Sequence, residues 1–150
     1  MSYSPNFRGS NSTVPAAATS TGYQNAVGGS VSVGTAVSTN GSNQFVLTDV
    51  TSESSAEAWI GLASEAMPNA ATGQVMSDGR LINIPALGFS NGDPVWVGAS
   101  PGTLTNVKPD TSNPGWSAGM WVLFVGVVVQ NEFNPSQQDI QLCRQIIGQL

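Results

Sequence analysis

The chain has no histidine, one cysteine and only four basic side chains among its 150 residues. The missing histidine removes the side chain that most often serves as a general base, a metal ligand or a charge switch near neutral pH. Cys143 stands alone, so no disulfide can form within the chain and cysteine usage leaves the redox compartment open. We therefore expect a protein that is not an enzyme and that holds neither a metal nor a cofactor.

Charge is scarce as well. Only 9% of the residues are charged, against about 25% in an ordinary globular protein, and the net charge is -5. A surface that binds the phosphate backbone of a nucleic acid needs clustered lysine and arginine side chains. The four basic residues of this chain are scattered singly, so nucleic acid is not an expected partner. Small uncharged residues dominate instead. This composition is typical of a turn-rich β protein, or of a shell or fibre subunit whose surface is largely covered by its neighbours.

The most apolar run of the chain spans residues 120–129 and contains no charge. Its β-branched and aromatic residues predict a strand buried on both faces, with a helix as the weaker interpretation. Ten residues also fall well short of the roughly 20 that a helix needs to cross a bilayer. The run therefore predicts a β core rather than a membrane span.

Turn residues divide the chain after residue 42 into further short strands. The predicted strands are 44–50, 59–63, 74–77, 80–84, 95–99, 103–107 and 139–148, and a short helical turn is predicted at 51–58. Asp78-Gly79 is the clearest signal for a two-residue hairpin. The last segment also fits a helical stripe, but a short Asn-Pro turn after the strongest strand favours an antiparallel neighbour. The loop 108–119 precedes the central run.

The first 42 residues differ from the rest because they are rich in Ser, Thr, Asn, Ala and Gly. Such a segment cannot bury enough apolar surface to form a core of its own. We predict an extended arm that becomes ordered against a partner, with Tyr3, Phe7 and Tyr23 as its anchors. Arg8 is the only charged side chain of this arm. The alternative is a flexible terminus. Residues 27–37 could already form a first strand.

The sequence thus predicts one all-β domain at 43–150, a small antiparallel sandwich or barrel, preceded by an extended N-terminal arm at 1–42. Five segments in order resemble a β-rich domain of tailed bacteriophages, found in capsid decoration (cement) proteins and in head or tail fibre modules. They are Ser55–Ala63, Ser77–Gly88, Gly92–Thr105, Lys108–Pro109 and Val125–Val129.

The resemblance covers residues 44–150 and leaves the arm outside. It implies a non-enzymatic virion component, usually trimeric, that binds its own copies and the particle surface, including the major capsid protein or other virion proteins. It implies no catalytic residues. A fibre module that contacts host surface glycans is the alternative within the same resemblance, and a small glycan-active enzyme is a more distant one.

Several side chains carry possible chemistry. Ser100 and Ser117 each match Gly-x-Ser-x-Gly, but a nucleophile elbow needs a strand-turn-helix context and a histidine. Trp116, in the loop 108–119, could be exposed and bind sugar or protein. Cys143 is expected to be a small buried hydrophobic residue.

Three aspartates fall in predicted turns, at Asp78, Asp93 and Asp110. An aspartate in such a place usually caps its own turn, so we expect these three to be solvated turn formers rather than a catalytic pair. Our candidate contacts for assembly or a ligand are therefore Tyr3, Phe7, Arg8, Tyr23 and Trp116.

Overall fold

The computed structural model describes residues 19–85 and 87–150, and these residues are almost entirely β. Their secondary structure consists of the strands β1 (Thr19–Asn25), β2 (Ala36–Thr39), β3 (Gln44–Leu47), β4 (Trp59–Ala63), β5 (Thr72–Pro85), β6 (Pro94–Val97), β7 (Leu104–Thr105), β8 (Trp121–Gln130) and β9 (Gln137–Gln149), with one short helix, α1 (Glu53–Glu57), between β3 and β4. The predicted all-β class is confirmed.

Five strands close on themselves. The order β1-β3-β2-β4-β5 returns from β5 to β1 and forms a barrel, in which β1 and β3 are parallel and the other pairs are antiparallel. Closure removes sheet edges that would otherwise present unpaired backbone groups. The strands β9, β8, β6 and β7 continue from β5 as an antiparallel extension of the same sheet.

The long strand β5 joins the barrel to this extension. Its first half pairs with β1 and β4, and its second half pairs with β9. The hairpin predicted at Asp78-Gly79 is therefore wrong. A two-residue I′ turn needs a positive φ at both central residues. Only Gly79, with φ of 91°, has one, and it continues the strand by pairing with Leu142.

The predicted boundary at residue 42 also changes, because β1 and β2 belong to the barrel. The first described strand is Thr19–Asn25 rather than the predicted segment 27–37, which holds a single bridge, between Val31 and Met67, and the first two residues of β2. Hydrophobic alternation missed β1 because Tyr23 is its one large apolar side chain. Residues 1–18 of the predicted arm lie outside the described residues.

Two clusters form the core. The larger one packs β8 residues such as Leu123 and Val125 against Trp59, Leu81 and Ile140, and the smaller one surrounds Phe45 inside the barrel. The central strand predicted at 120–129 is confirmed as β8, and the final segment is confirmed as the strand β9. The short helix is confirmed too, and its first turn is capped by the Ser52 hydroxyl, which accepts a bond from the Ser55 N–H.

Close backbone contact between β8 and β9 depends on Gly126. A Cβ at this position would collide with the carbonyl oxygen of Gln141, a backbone atom that cannot turn away. We expect Gly126→Ala to lower the free energy of unfolding by about 1–3 kcal/mol, in the range of core overpacking. Urea unfolding followed by tryptophan fluorescence measures this.

Gly29→Ala is the matched control, because nothing lies within 4 Å of a Cβ added there and the backbone needs no positive φ. We expect it to change the free energy of unfolding by less than about 0.5 kcal/mol. Equal effects of the two substitutions would contradict the proposed collision.

Candidate functional site

A buried carboxylate, Asp139 on β9, accepts hydrogen bonds from three residues, two on β5 and one in the β8–β9 loop. Its Oδ2 accepts from Nε of Arg80 at 2.9 Å and forms an ion pair with Nη2 of the same guanidinium at 2.9 Å. Its Oδ1 accepts from the backbone N–H of Asn83 and from the side-chain amide of Asn131, both at 3.0 Å. With an exposed fraction of 3%, the carboxylate depends on these donors in place of water.

The Asp139 network holds an irregular piece of backbone. The pairing of β5 with β9 shifts register between Leu81 and Ile84, and Asn83 within that shift has φ of 62°. Asparagine tolerates this left-handed conformation better than most residues do. Asn131 receives N–H bonds from residues 133 and 134, which shapes the β8–β9 loop. The network therefore fastens the β5 bulge to that loop.

Two cavities flank the β8–β9 loop. The first, of about 370 Å³, lies beside the Asp139 network and is also lined by Ile82, Glu132 and Phe133. The second, of about 380 Å³, is lined mainly by amide and hydroxyl side chains: Ser90, Asn91, Gln130, Asn131, Gln137 and Gln138. Phe133 stands at the tip of the loop and is 93% exposed. An exposed aromatic ring next to rows of amides can bind a partner by apolar contact together with hydrogen bonds.

Large apolar side chains are exposed mostly around the β8–β9 unit. Six such side chains are exposed in the described chain, and five of them lie on β8, β9, their loop or the adjacent end of β5. We call these five the β8–β9 apolar surface: Ile82, Val127, Phe133, Ile146 and Ile147. Ile82 and Phe133 line one cavity at the loop end of this unit, and Ile146 and Ile147 lie at the other end of β9. Exposed apolar side chains that neighbour one another mark candidate interaction surfaces.

The C-terminal half of β9 contributes most to this surface. Every residue from Cys143 to Ile147 is exposed, so neither face of the strand is covered there by the described chain. The Arg144 guanidinium lies 5.4 Å from the centre of the Trp59 ring and donates to the Trp59 carbonyl at 2.7 Å. The one charge in this stretch is therefore held against β4.

The structure does not bring the sequence-predicted contacts together. Tyr3, Phe7 and Arg8 lie outside the described residues. Tyr23 is half-buried on β1 against the barrel cluster, and Trp116 is half-buried against the larger core cluster. The predicted exposure of Trp116 is thus met only in part.

Other candidates occupy ordinary structural positions. Ser100 and Ser117 lie in turns that connect strands, without the helix that an elbow requires. Cys143 is exposed, so its predicted burial is wrong. Side chains alternate along β9, and Leu142 points into the core while Cys143 points away from it. Asp78 lies within β5 rather than in a turn.

The remaining two aspartates do stabilise turns. The Asn106 side chain, followed by the Ser90 backbone N–H, lowers the pKa of Asp93 through hydrogen bonds to the carboxylate. The Ser112 hydroxyl and then its backbone N–H lower the pKa of Asp110 in the same way. Asp110 thus caps its own turn, as predicted, and Asp93 binds its own turn at Ser90 together with Asn106, which follows β7.

Sequence reasoning missed Asp139, Asn83 and Asn131. A signal was present for Asp139, because an aspartate at the start of the predicted strand 139–148 must find donors when that strand is buried. Nothing local in the sequence indicates the donors, two of which lie 56 and 59 residues away on β5 and the third 8 residues away, just after β8.

No family model, no curated protein and no solved structure matches this chain. Within residues 19–85 and 87–150, no group of three or more His, Cys, Asp or Glu side chains is placed to hold a metal ion. Among the same residues, no helix is long and apolar enough to span a bilayer.

Removing the Asp139 charge should destabilise the fold. We expect Asp139→Asn to lower the free energy of unfolding by about 1–3 kcal/mol, because the new NH₂ group cannot accept the bonds that one carboxylate oxygen receives. Glu132→Gln, in the wall of the same cavity but exposed, is the control and should be near neutral. Chemical unfolding of both variants checks this, and equal stabilities would contradict the structural role of Asp139.

Proposed function

We propose that this chain is a non-enzymatic structural subunit of a tailed-phage virion, a capsid decoration or cement protein that binds its own copies and the particle surface. The observation that carries the proposal is the β8–β9 apolar surface, the five exposed large apolar side chains on β8, β9, their loop and the end of β5. The resemblance of residues 44–150 to phage decoration and fibre domains supports the choice of particle.

The chemistry of the surface suits permanent contacts between subunits. Ile146 and Ile147 are 44% and 56% exposed, and burying such side chains against another protein stabilises the complex by about 25 cal/mol for each Å² removed from water. Low charge density helps, because few ions must be desolvated when the surfaces meet. A standard stable interface buries more than about 1,000 Å², which requires neighbouring polar surface as well.

Repetition would turn modest contacts into durable ones. In a closed ring of subunits on a regular lattice, each additional contact is intramolecular, so the combined affinity far exceeds that of a single contact. We take the trimer implied by the resemblance as the proposed assembly, with the major capsid protein or another virion protein as the underlying partner. The capsid surface is then the proposed location.

A second candidate function is favoured by the β8–β9 loop. Phe133 is almost fully exposed and lines the first of the two cavities beside the loop, and the walls of both cavities carry amides. A fibre module that contacts host surface glycans would use such a ring and such donors. In this version of the proposal, the binding loop is 131–136 rather than the predicted loop 108–119, whose Trp116 packs against the core.

Self-association should depend on the C-terminal half of β9. We expect the purified chain to show a mass near three times 15.4 kDa by light scattering, and Ile147→Lys to weaken association at least about tenfold by placing a charge in the interface. Val107→Lys is the control, since Val107 is similarly exposed at 53% but lies off the β8–β9 apolar surface.

The particle itself provides the second half of this test. Virions made from the genome that carries this coding sequence should contain the chain by mass spectrometry, and those carrying Ile147→Lys should contain fewer copies. A monomeric wild-type protein, or purified virions without the chain, would contradict the cement proposal.

The fibre alternative makes a different prediction. Phe133→Ala should reduce adsorption of virions to host cells several-fold while leaving the copy number of the chain on the particle unchanged, because a lost stacking platform weakens only glycan binding. Trp116→Ala serves as the comparison and should act mainly through stability. Unchanged adsorption with Phe133→Ala would remove the support for the glycan-binding function.

A further inference from the structure

A further cavity lies against the core of the barrel. It has a volume of about 210 Å³ and is lined by side chains from four strands: Thr21 and Tyr23 of β1, Ile60 of β4, Val75 and Ser77 of β5, and Arg144 of β9. Val75 belongs to the cluster inside the barrel, and Tyr23 and Ile60 pack against that cluster. We call this space the barrel-mouth cavity. The mouths of β-barrels are common places for small-molecule sites.

The opposite end of the barrel is closed. Thr21 and Asn25 pair with Val75 and Phe45, both of which belong to the barrel cluster, so these two residues of β1 share its inner face. Asn25 is 1% exposed, and its side-chain amide donates to the Met67 carbonyl at 3.0 Å. Thr21, at the other end of the same face, is exposed. A ligand would therefore enter at the end of the barrel marked by Thr21.

Arg144 is held at this cavity by β4. Its Nη1 donates to the Trp59 carbonyl at 2.7 Å, and its guanidinium lies 5.4 Å from the centre of the Trp59 ring. The Nε and Nη2 groups, which share the other edge of the guanidinium, make no hydrogen bond with the described chain. Such an edge offers a carboxylate two parallel N–H donors. Because the position of Arg144 is set before a ligand arrives, the entropic cost of binding is lowered.

No carboxylate of the chain neutralises Arg144. All nine acidic side chains fall in the part of the chain that the structure describes, since residues 1–18 and 86 contain none. Among residues 19–85 and 87–150, Arg80 and Asp139 form the one ion pair. The described residues that line the barrel-mouth cavity include no acid either. An anion in this cavity would thus meet a positive charge without a competitor.

We propose that the barrel-mouth cavity binds a small organic carboxylate, whose charged end pairs with Arg144 and whose apolar body contacts Ile60 and Val75. Thr21 and Tyr23 add hydroxyl groups that can donate to the carboxylate oxygens. The volume equals that of about seven water molecules in the liquid, which limits the ligand to roughly the size of benzoate. This site lies on the barrel and is independent of the assembly proposed for the β8–β9 apolar surface.

Titration of the full chain with benzoate, benzamide and acetate tests the proposal, followed by the NMR shifts of backbone amides and of the Trp59 indole. Benzamide keeps the ring of benzoate without its charge, and acetate keeps the charge without the ring. We expect benzoate to shift the signals of Tyr23, Val75 and Trp59 and to approach saturation by about 10 mM. Benzamide and acetate should bind at least about tenfold more weakly, because each lacks one of the two contacts.

Substitutions locate the binding site. Arg144→Gln should weaken benzoate binding at least about tenfold, because the charge-assisted pair is lost. Lys108→Gln is the matched control, since it removes the same charge outside the cavity and should leave binding unchanged. Tyr23→Phe keeps the ring and removes one hydroxyl, so it should weaken binding about twofold to tenfold. This variant and the three compounds on the wild type still decide the matter if Arg144→Gln unfolds the chain.

Four results would overturn the proposal. They are the absence of saturable shifts with benzoate, equal binding of benzoate and either comparison compound, unchanged binding in Arg144→Gln, and equal losses in Arg144→Gln and Lys108→Gln. Shifts of the same signals that grow with protein concentration and block benzoate would also overturn it, because an acidic side chain of a second copy would then be the occupant.

Discussion

The continuity of β5 is the constraint on which the rest of the structure depends. By pairing first with β1 and β4 and then with β9, this one strand joins a closed barrel to an open sheet extension. Gly79, with φ of 91°, comes directly after Asp78, where β9 replaces β4 as the neighbour of β5. This backbone conformation favours glycine, which has no Cβ.

Side chains that follow Gly79 on β5 then stabilise the extension. The second irregularity of β5, at Asn83, is stabilised by Asp139, whose carboxylate also orders the loop through Asn131. The same loop presents Phe133 to solvent. A buried polar network and an exposed apolar side chain are thus parts of one arrangement, because the network removes the freedom that an unsupported loop would have. Preorganisation of this kind lowers the entropic cost of binding a partner.

The strands that are rich in β-branched and aromatic residues could be predicted from the sequence. The apolar run at 120–129 and the segment 59–63 carry enough β-branched and aromatic residues to identify β8 and β4 without tertiary information. The hairpin prediction at Asp78-Gly79 failed because turn propensity is a local property. The structure there is decided by the long-range pairing of Gly79 with Leu142. β1 was missed for the opposite reason: its polar residues have no period, and only closure of the barrel makes it a strand.

The candidate site was less predictable than the fold. The roles of Asn83 and Asn131 arise from contacts with Asp139, which no local pattern encodes. The β8–β9 apolar surface has the same origin, because Ile146 and Ile147 read as core residues in a strand that follows the strongest strand of the chain. They are exposed because β5 pairs with β4, and not with β9, before Asp78, which leaves the end of β9 with β8 as its only strand neighbour in the described chain. The exposed end of β9 therefore follows from the change of neighbour along β5.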